Sequence, residues 1–265
     1  MQWIRSWLNV TAVLAAAGPG TVAAQIDYRN LDDGRPSRVA DAYPIERFAF
    51  ELSLPNRASW NGRFALELAP ELAYGVARSA AIGVRTSITA VGRETGAGVP
   101  NSWGGAWAMA NLRRETPGAP AISVRIDWEA PFDRGGLSQS SVALTALATR
   151  SMGPSRLHLN AGWRVAAPND PALRSDGEWW LGLAADHTLW RTSTLLIADL
   201  SVERASIPLG TSWEAGVGLR RQITPTLVLS AGVSRGSRAD EGETRVTIGL
   251  SHAFGIAGLI PRRKR

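Results

Sequence analysis

Three imidazoles, His158, His187 and His252, are the side chains here that most readily exchange protons near neutral pH. A membrane-bound hydrolase, such as a phospholipase, protease or lipid A deacylase, sets a histidine within hydrogen-bond reach of a serine or an acid. Ser251 and His252 are adjacent, so on a strand they point to opposite faces. His158 and Asn160 share a face, and a row of wall polar groups accounts for that pair. There is no cysteine, and no two histidines stand at ligand spacing. The glycine-rich run Gly92 to Gly98 lacks the strand, loop and helix of a phosphate cradle. The sequence therefore assigns no catalytic residue, no metal ligand and no cofactor.

The larger chemical resource is a set of charges at alternate positions. Glu67, Glu71, Arg85, Arg125, Asp127, Arg156, Arg164, Glu214, Arg220 and Arg245 sit between apolar or small neighbours, except that Arg221 follows Arg220. Both signs occur in similar numbers. Such charges line a polar lumen, where each needs a partner or water. They either brace a wall or line a narrow path, and ion pairs alone do not decide between the two.

The elements that must carry them are strands. From Phe64 to Val76 every second residue is apolar, with small or acidic residues between. A period of two is a β-strand with one apolar face. Ala, Leu and Glu also favour helix, but Pro70 within the run opposes one. Pro70 in a paired strand requires a bulge or a missing amide bond. The alternation recurs at Phe48–Leu54, Ile82–Ile88, Ile122–Glu129, Arg156–Val165, Trp213–Arg220 and Arg245–Phe254, and less cleanly in five other segments. About twelve strands result, an even number, as in single-chain bacterial barrels.

Four parts follow along the chain. Residues 1–24 read as a secretory signal peptide: a charge at Arg5, an apolar core, then Val22-Ala23-Ala24 before a cut. Residues 25–43 are an irregular, turn-rich arm, placed either in the periplasm or folded into a lumen. Residues 44–254 form the sheet, and 255–265 a basic tail. After the first part no apolar run is long enough for a spanning helix. The formal charge is +6, but the arginines are spread along the chain, so no nucleic-acid surface is indicated.

A soluble sandwich shows the same alternation with its apolar face inward. The export signal, long strands and loop rhythm favour a closed antiparallel transmembrane β-barrel instead. Long connections are expected near 55–61, 92–103, 130–137, 167–176, 204–210 and 235–243, with short ones between. Aromatic residues add to this. Trp107, Trp128, Trp179 and Trp213 fall toward outer strand ends, and Tyr74 and Phe254 toward inner ends, as two membrane-boundary girdles. Trp163 alone falls mid-strand, where a core tryptophan belongs. In lipid every backbone amide needs a partner, so the sheet must close, apolar face outward.

Two phrases carry a resemblance. Ala40-Asp41-Ala42-Tyr43-Pro44 followed by Phe50-Glu51-Leu52, and Leu68-Ala69-Pro70-Glu71-Leu72-Ala73-Tyr74-Gly75-Val76, are similar to the "meta-pathway of phenol degradation" outer-membrane proteins. The resemblance implies a channel-like or transporter-like barrel over Ala40 to Phe254, without catalytic residues. Thr244 to Phe254 resembles the final-strand signal read by the outer-membrane assembly machinery, except that Gly255 to Arg265 follow it. The expectation is an exported outer-membrane barrel whose partners are the lipid bilayer, that machinery and a small, unidentified solute. Passive passage of small polar or aromatic solutes is the first reading. A closed structural or adhesive barrel is the second, and a lipid hydrolase the third.

Overall fold

The computed structural model describes residues 21–22, 26–31, 36–93, 96–97, 101–132, 140–166, 177–204, 210–238 and 241–256. The proposed signal peptide, apart from Thr21–Val22, and the basic tail beyond Ile256 lie outside these residues. Twelve antiparallel strands close into a transmembrane barrel. They are β1 (Ala49–Trp60), β2 (Phe64–Leu68 and Glu71–Ala77), β3 (Ala80–Arg93), β4 (Asn101–Arg113), β5 (Ala121–Pro131) and β6 (Ser141–Met152). The second half is β7 (Ser155–Ala166), β8 (Glu178–Leu189), β9 (Thr194–Arg204), β10 (Thr211–Thr224), β11 (Leu227–Arg238) and β12 (Glu241–Ile256). Each strand pairs with its sequence neighbour, and β12 returns to β1 from Thr244↔Trp60 to Gly255↔Ala49. Closure leaves no barrel edge, as backbone in hydrocarbon requires.

The side-chain period sets the two faces. On β6, Val142 and Leu144 are exposed, whereas Ala143, Thr145, Leu147 and Thr149 are buried. On β8, Leu181 and Leu183 face out, and Ala184, Asp186 and Thr188 face in. Leu and Val stand out all round the wall. Such a surface is costly in water and suited to lipid.

Two of the expected long connections are short. The chain turns from β1 to β2 over Asn61–Arg63, with Gly62 at φ +78°, and only two residues separate β11 from β12. Pro55 does not end β1. It keeps its place opposite Gly249, because a strand loses one donor, not its register, at a proline. Pro70 likewise interrupts β2 without shifting it: Asn56↔Leu68 and Ser53↔Glu71 belong to one continuous register. A missing amide, not a bulge, is what the proline costs here. The true irregularities fall toward the opposite ends of the strands, between Gly75/Ala77, Asn111/Arg113 and Gln222/Thr224. We call the end holding Asn61–Arg63 the outer end and the other the inner end.

Candidate functional site: a lumen and the arm that closes it

The arm lies inside the barrel and extends to Phe48, five residues beyond its expected limit. Both of its ends sit at the inner rim, where the Ile26 N–H donates to Pro225 O and the Phe48 N–H to Gly75 O. Between them the described residues reach highest at 36–39, where Pro36 meets Gly218 and Gly232 and Arg38 meets Glu203. Coil buried in a barrel must find partners for its amides. Here the wall supplies them. The Ala40 N–H donates to Asn160 Oδ1 and the Asn160 amide donates back to Ala40 O, each at 2.8 Å. The Ala42 N–H donates to Thr149 Oγ1 at 2.9 Å, and Ala42 O accepts from Ser123 Oγ and Asn111 Nδ2.

Asp41 is the hub of the arm. Its carboxylate accepts from the Leu31 and Tyr43 N–H groups and pairs with Arg156 at 3.4 Å. Arg156 also grips Asp186 and donates to Arg29 O. His158 is fully buried between Thr149 Oγ1 and Asp186 Oδ2, each 3.0 Å away. The Asp186 carboxylate only accepts, so the Nε2–H of His158 points to it, and Nδ1 shares its hydrogen bond with the Thr149 hydroxyl.

Packing adds to the polar seat. Leu31 packs on Leu195 and Ile197, Ala40 and Ala42 on Ala121 and Leu147, and Ile45 on Ala73, Trp107 and Met109. Glycines on the wall make room. A Cβ at Gly182 would meet Val39 Cγ2 at 2.7 Å, and one at Gly232 would meet Pro36 Cβ at 2.6 Å. Gly218 also lies against Pro36, and Gly75 against the backbone of Ile45 and Glu46.

At the inner rim Tyr43 reaches the β4–β5 turn. Its hydroxyl donates to Glu115 at 2.7 Å, and Glu115 also accepts from the Ser151 N–H and hydroxyl beside Arg150. Burial and the Glu115 carboxylate push the Tyr43 phenol up to about 12. Burial pulls Glu115 upward, but its donors and Arg150 outweigh it and leave the carboxyl below its ordinary range.

Above the arm the lumen holds a void of about 680 Å³, from Asn61 and Arg63 at the outer end down to Glu71 and Arg85. Six arginines and six glutamates line it, so it carries no net sign. Arg57 pairs with Glu67 at 3.0 Å, Arg85 with Asp127 and Glu129, and Arg245 with Glu243 and Glu214. Arg38, at the top of the arm, pairs with Glu203 and Glu214 and forms part of the floor.

All ten of the charged residues singled out in the sequence point inward, to different levels. Glu67, Glu71, Arg85, Arg164, Glu214 and Arg245 line the void. Arg125 and Asp127 are buried against each other in the wall. Arg156 and Arg220 serve the arm, Arg220 donating to Asn30 O. Among the aromatics, Trp128, Trp179 and Trp213 are exposed toward the outer end. Tyr74 and Phe254 stack on either side of Phe50 near the inner end. Trp107 is a correction. It is 7% exposed and faces the lumen, over Gly83 and 4.4 Å from the Arg125 guanidinium. Beside it the outward positions are Ala106 and Ala108, so β4 carries its bulk inside. Trp163 is the converse: it faces outward, opposite Trp179 near the outer end. Sequence reasoning missed Asn111, Ser123 and Thr149, and read Asn160 only as part of a row of wall polar groups. Their signal was an uncharged polar residue at an inward position.

A closed twelve-strand antiparallel barrel with a polar lumen and an apolar exterior is the architecture of outer-membrane barrels. No protein-family model matches the sequence, and no curated protein does. Solved structures do match in fold. The COG4313 outer membrane channel from Pseudomonas putida F1 aligns with TM-score 0.62 at 12% identity, over 84% of this chain and all of that one. The translocator domain of autotransporter NalP from Neisseria meningitidis aligns at TM-score 0.52 and 13% identity, covering 77% and 87%. The KdgM porin aligns at TM-score 0.50 and 11% identity, covering 76% and 98%. At such identities the likeness is one of fold.

Proposed function

We propose that the protein is an outer-membrane channel for small solutes, closed along its axis by its own N-terminal arm. The observation that carries this is the void of about 680 Å³, which runs to Asn61 and Arg63 at the outer end and has Arg38 of the arm in its floor. A barrel built only as a support would fill its lumen with side chains, as small barrels do. This one keeps an open, polar-lined half and closes the other half with chain. The lining favours uncharged or zwitterionic solutes. Arg57, Arg85, Arg164 and Arg245 all have a carboxylate within 4 Å, so the path offers neither a cationic ladder for polyanions nor a carboxylate ring for cations. The phrases around Pro44 and Pro70 that resemble the phenol meta-pathway barrels fit the same reading, as does export by a cleaved leader. A hydrolase fits less well, because His158, Thr149 and Asp186 lie sealed beneath the arm.

The test is single-channel conductance in a planar bilayer, with the full-length protein beside a variant lacking residues 25–43. The full-length protein should give small or rare current steps. The deletion should give larger, uniform steps with barrel folding retained on a gel-shift assay. Equal, negligible current from both folded proteins would count against a channel.

A further inference from the structure

Charges inside the barrel are paired, and most of those on its inner rim are not. Arg57, Arg85, Arg156 and Arg245 each hold a carboxylate in the lumen. The turns at the inner end are all described, and exposed arginines stand at or beside four of them. Arg78 lies between β2 and β3, Arg113 and Arg114 at the β4–β5 turn, Arg191 between β8 and β9, and Arg221 before the β10–β11 turn. Among the described residues none of these has a carboxylate within 4.0 Å. The acids described at this rim are few. Arg29 takes Asp27 and Arg150 takes Glu115, which leaves Glu46.

Strand register shows where the arginines point. Arg221 follows the buried Arg220, so it stands on the outward face, opposite Leu229 on β11 and next along that face to Leu219. Both leucines are exposed on the wall that meets hydrocarbon. Arg113 faces Ile122 across β4–β5, on the outward face too, since Ala121 and Ser123 on either side of Ile122 are buried. The arginines also gather in two groups. Arg221 faces Thr194 across β9–β10, and the Gln222 N–H donates to Ser193 O at 3.0 Å, which joins the Arg221 strand to the Arg191 turn. Trp190, beside Arg191, is exposed. In the second group the Asn111 N–H donates to Ser79 O at 2.7 Å, which ties the Arg78 turn to the strand that ends in Arg113.

A guanidinium on the last rungs of an apolar wall stands at the depth of lipid headgroups, and its fork of donors matches phosphate oxygens. A soluble partner would meet the turn tips, but not outward positions flanked by exposed leucine. We propose that the inner rim is a docking surface for net-anionic phospholipids. One headgroup site lies at Arg191 and Arg221, the other at Arg78, Arg113 and Arg114. The phosphate goes to the guanidinium groups, and the acyl chains lie along Leu219 and Leu229 at the first site and Leu112 at the second. Trp190 fills the boundary between the two zones, as an amphipathic ring does. A headgroup with its own ammonium is disfavoured, because that ammonium meets the arginines as a like charge. The short turns of outer-membrane barrels face the periplasm, which puts these arginines in the phospholipid leaflet and not in the lipid A leaflet. The inference rests on the barrel's place in lipid, not on the channel reading.

The test is native mass spectrometry of the full-length protein released from nanodiscs holding phosphatidylethanolamine and phosphatidylglycerol in equal amounts. One arginine near an anionic surface is worth about fivefold in affinity. The parent protein should therefore retain phosphatidylglycerol over phosphatidylethanolamine about fivefold or more. R191Q/R221Q and R78Q/R113Q/R114Q should each lose about half of the retained phosphatidylglycerol, one site apiece. Combining all these substitutions should abolish the preference, with the gel shift of the folded barrel unchanged. The control R204Q/R235Q removes exposed arginines at the outer end and should keep it. Equal retention of the two lipids would overturn the docking surface, as would an equal loss in the control. Retention of lipid A over phosphatidylglycerol in matched nanodiscs, lost in the same variants, would overturn it too and assign this end to the other leaflet. None of these results touches the conductance of the arm-deleted barrel, so this inference and the channel reading fail separately.

Discussion

Asp41, Tyr43 and Glu115 hold the mouth of the arm, and two of them titrate outside the barrel wall. Glu115 has its pKa below the free carboxylate value when clamped. A group with a depressed bound-state pKa stabilises that state above its free value and ceases to do so as pH falls through the bound value. The clamp should thus hold at pH 7 and weaken progressively below pH 4.5. Tyr43 is shifted the other way, so its contribution is complete below pH 10 and is lost as pH rises toward about 12. Conductance of the full-length protein should rise on acidification across that lower window. Glu115→Gln should already show the raised conductance at pH 7 and respond far less to acid. An unaltered acid response in Glu115→Gln would assign the effect to another group. Tyr43→Phe removes a single hydrogen bond and should loosen the arm by about 1 kcal/mol, read as a modest increase in open probability at neutral pH.

At the scale of elements, the strands and the presence of an arm were legible, and the seat of the arm was not. A period of two survives any register, so the runs from Phe64 to Val76 and from Arg245 to Phe254 identify themselves. Where volume and polarity part company the rule fails. β4 alternates Trp107 and Met109 with Ala106 and Ala108, and only the neighbouring Gly83 and Arg125 explain why the large residues lie inside. The arm has no period, because its amides bond to Asn111, Thr149 and Asn160 on three different strands. Nothing local encodes such contacts. The glycines of the wall carry a fainter sign of the same thing. Gly218 and Gly232 face each other across β10–β11 and leave the hollow that Pro36 occupies. Gly232→Ala should therefore push the top of the arm away with little change to the sheet, since its Cβ would meet Pro36 Cβ at 2.6 Å and wall backbone only at 3.1 Å. Channel steps should approach those of the deletion lacking residues 25–43, with the gel shift of the folded barrel unchanged. Steps no larger than those of the parent protein would mean that Pro36 does not fix the arm.

At the scale of the whole molecule, the barrel separates three environments with one repeating pattern. Lipid meets Leu, Ile and Val, the outer void meets paired charges, and the inner half meets the arm. The pairing of charges matters because confinement makes any excess felt along the whole path. With six arginines and six glutamates around the void, the parent channel should discriminate little between small anions and cations. Glu214 is the most informative position to unbalance. It accepts from Arg245 and Ser234 and lies 3.6 Å from Arg38, so it neutralises the floor and the wall together. Glu214→Gln keeps the shape and the hydrogen-bond acceptor and leaves one uncompensated positive charge. A unit charge about 4 Å from an ion in a watery path is worth about 1 kcal/mol, roughly a fivefold change in relative permeability. Reversal potentials under a salt gradient should therefore move from near zero toward the anion value in full-length Glu214→Gln, where Arg38 still stands in the floor. The shift should shrink as ionic strength rises, because salt screens the new charge. A potential that stays near zero in dilute salt would mean that ions do not pass Glu214, and would move the conducting path to the opposite wall.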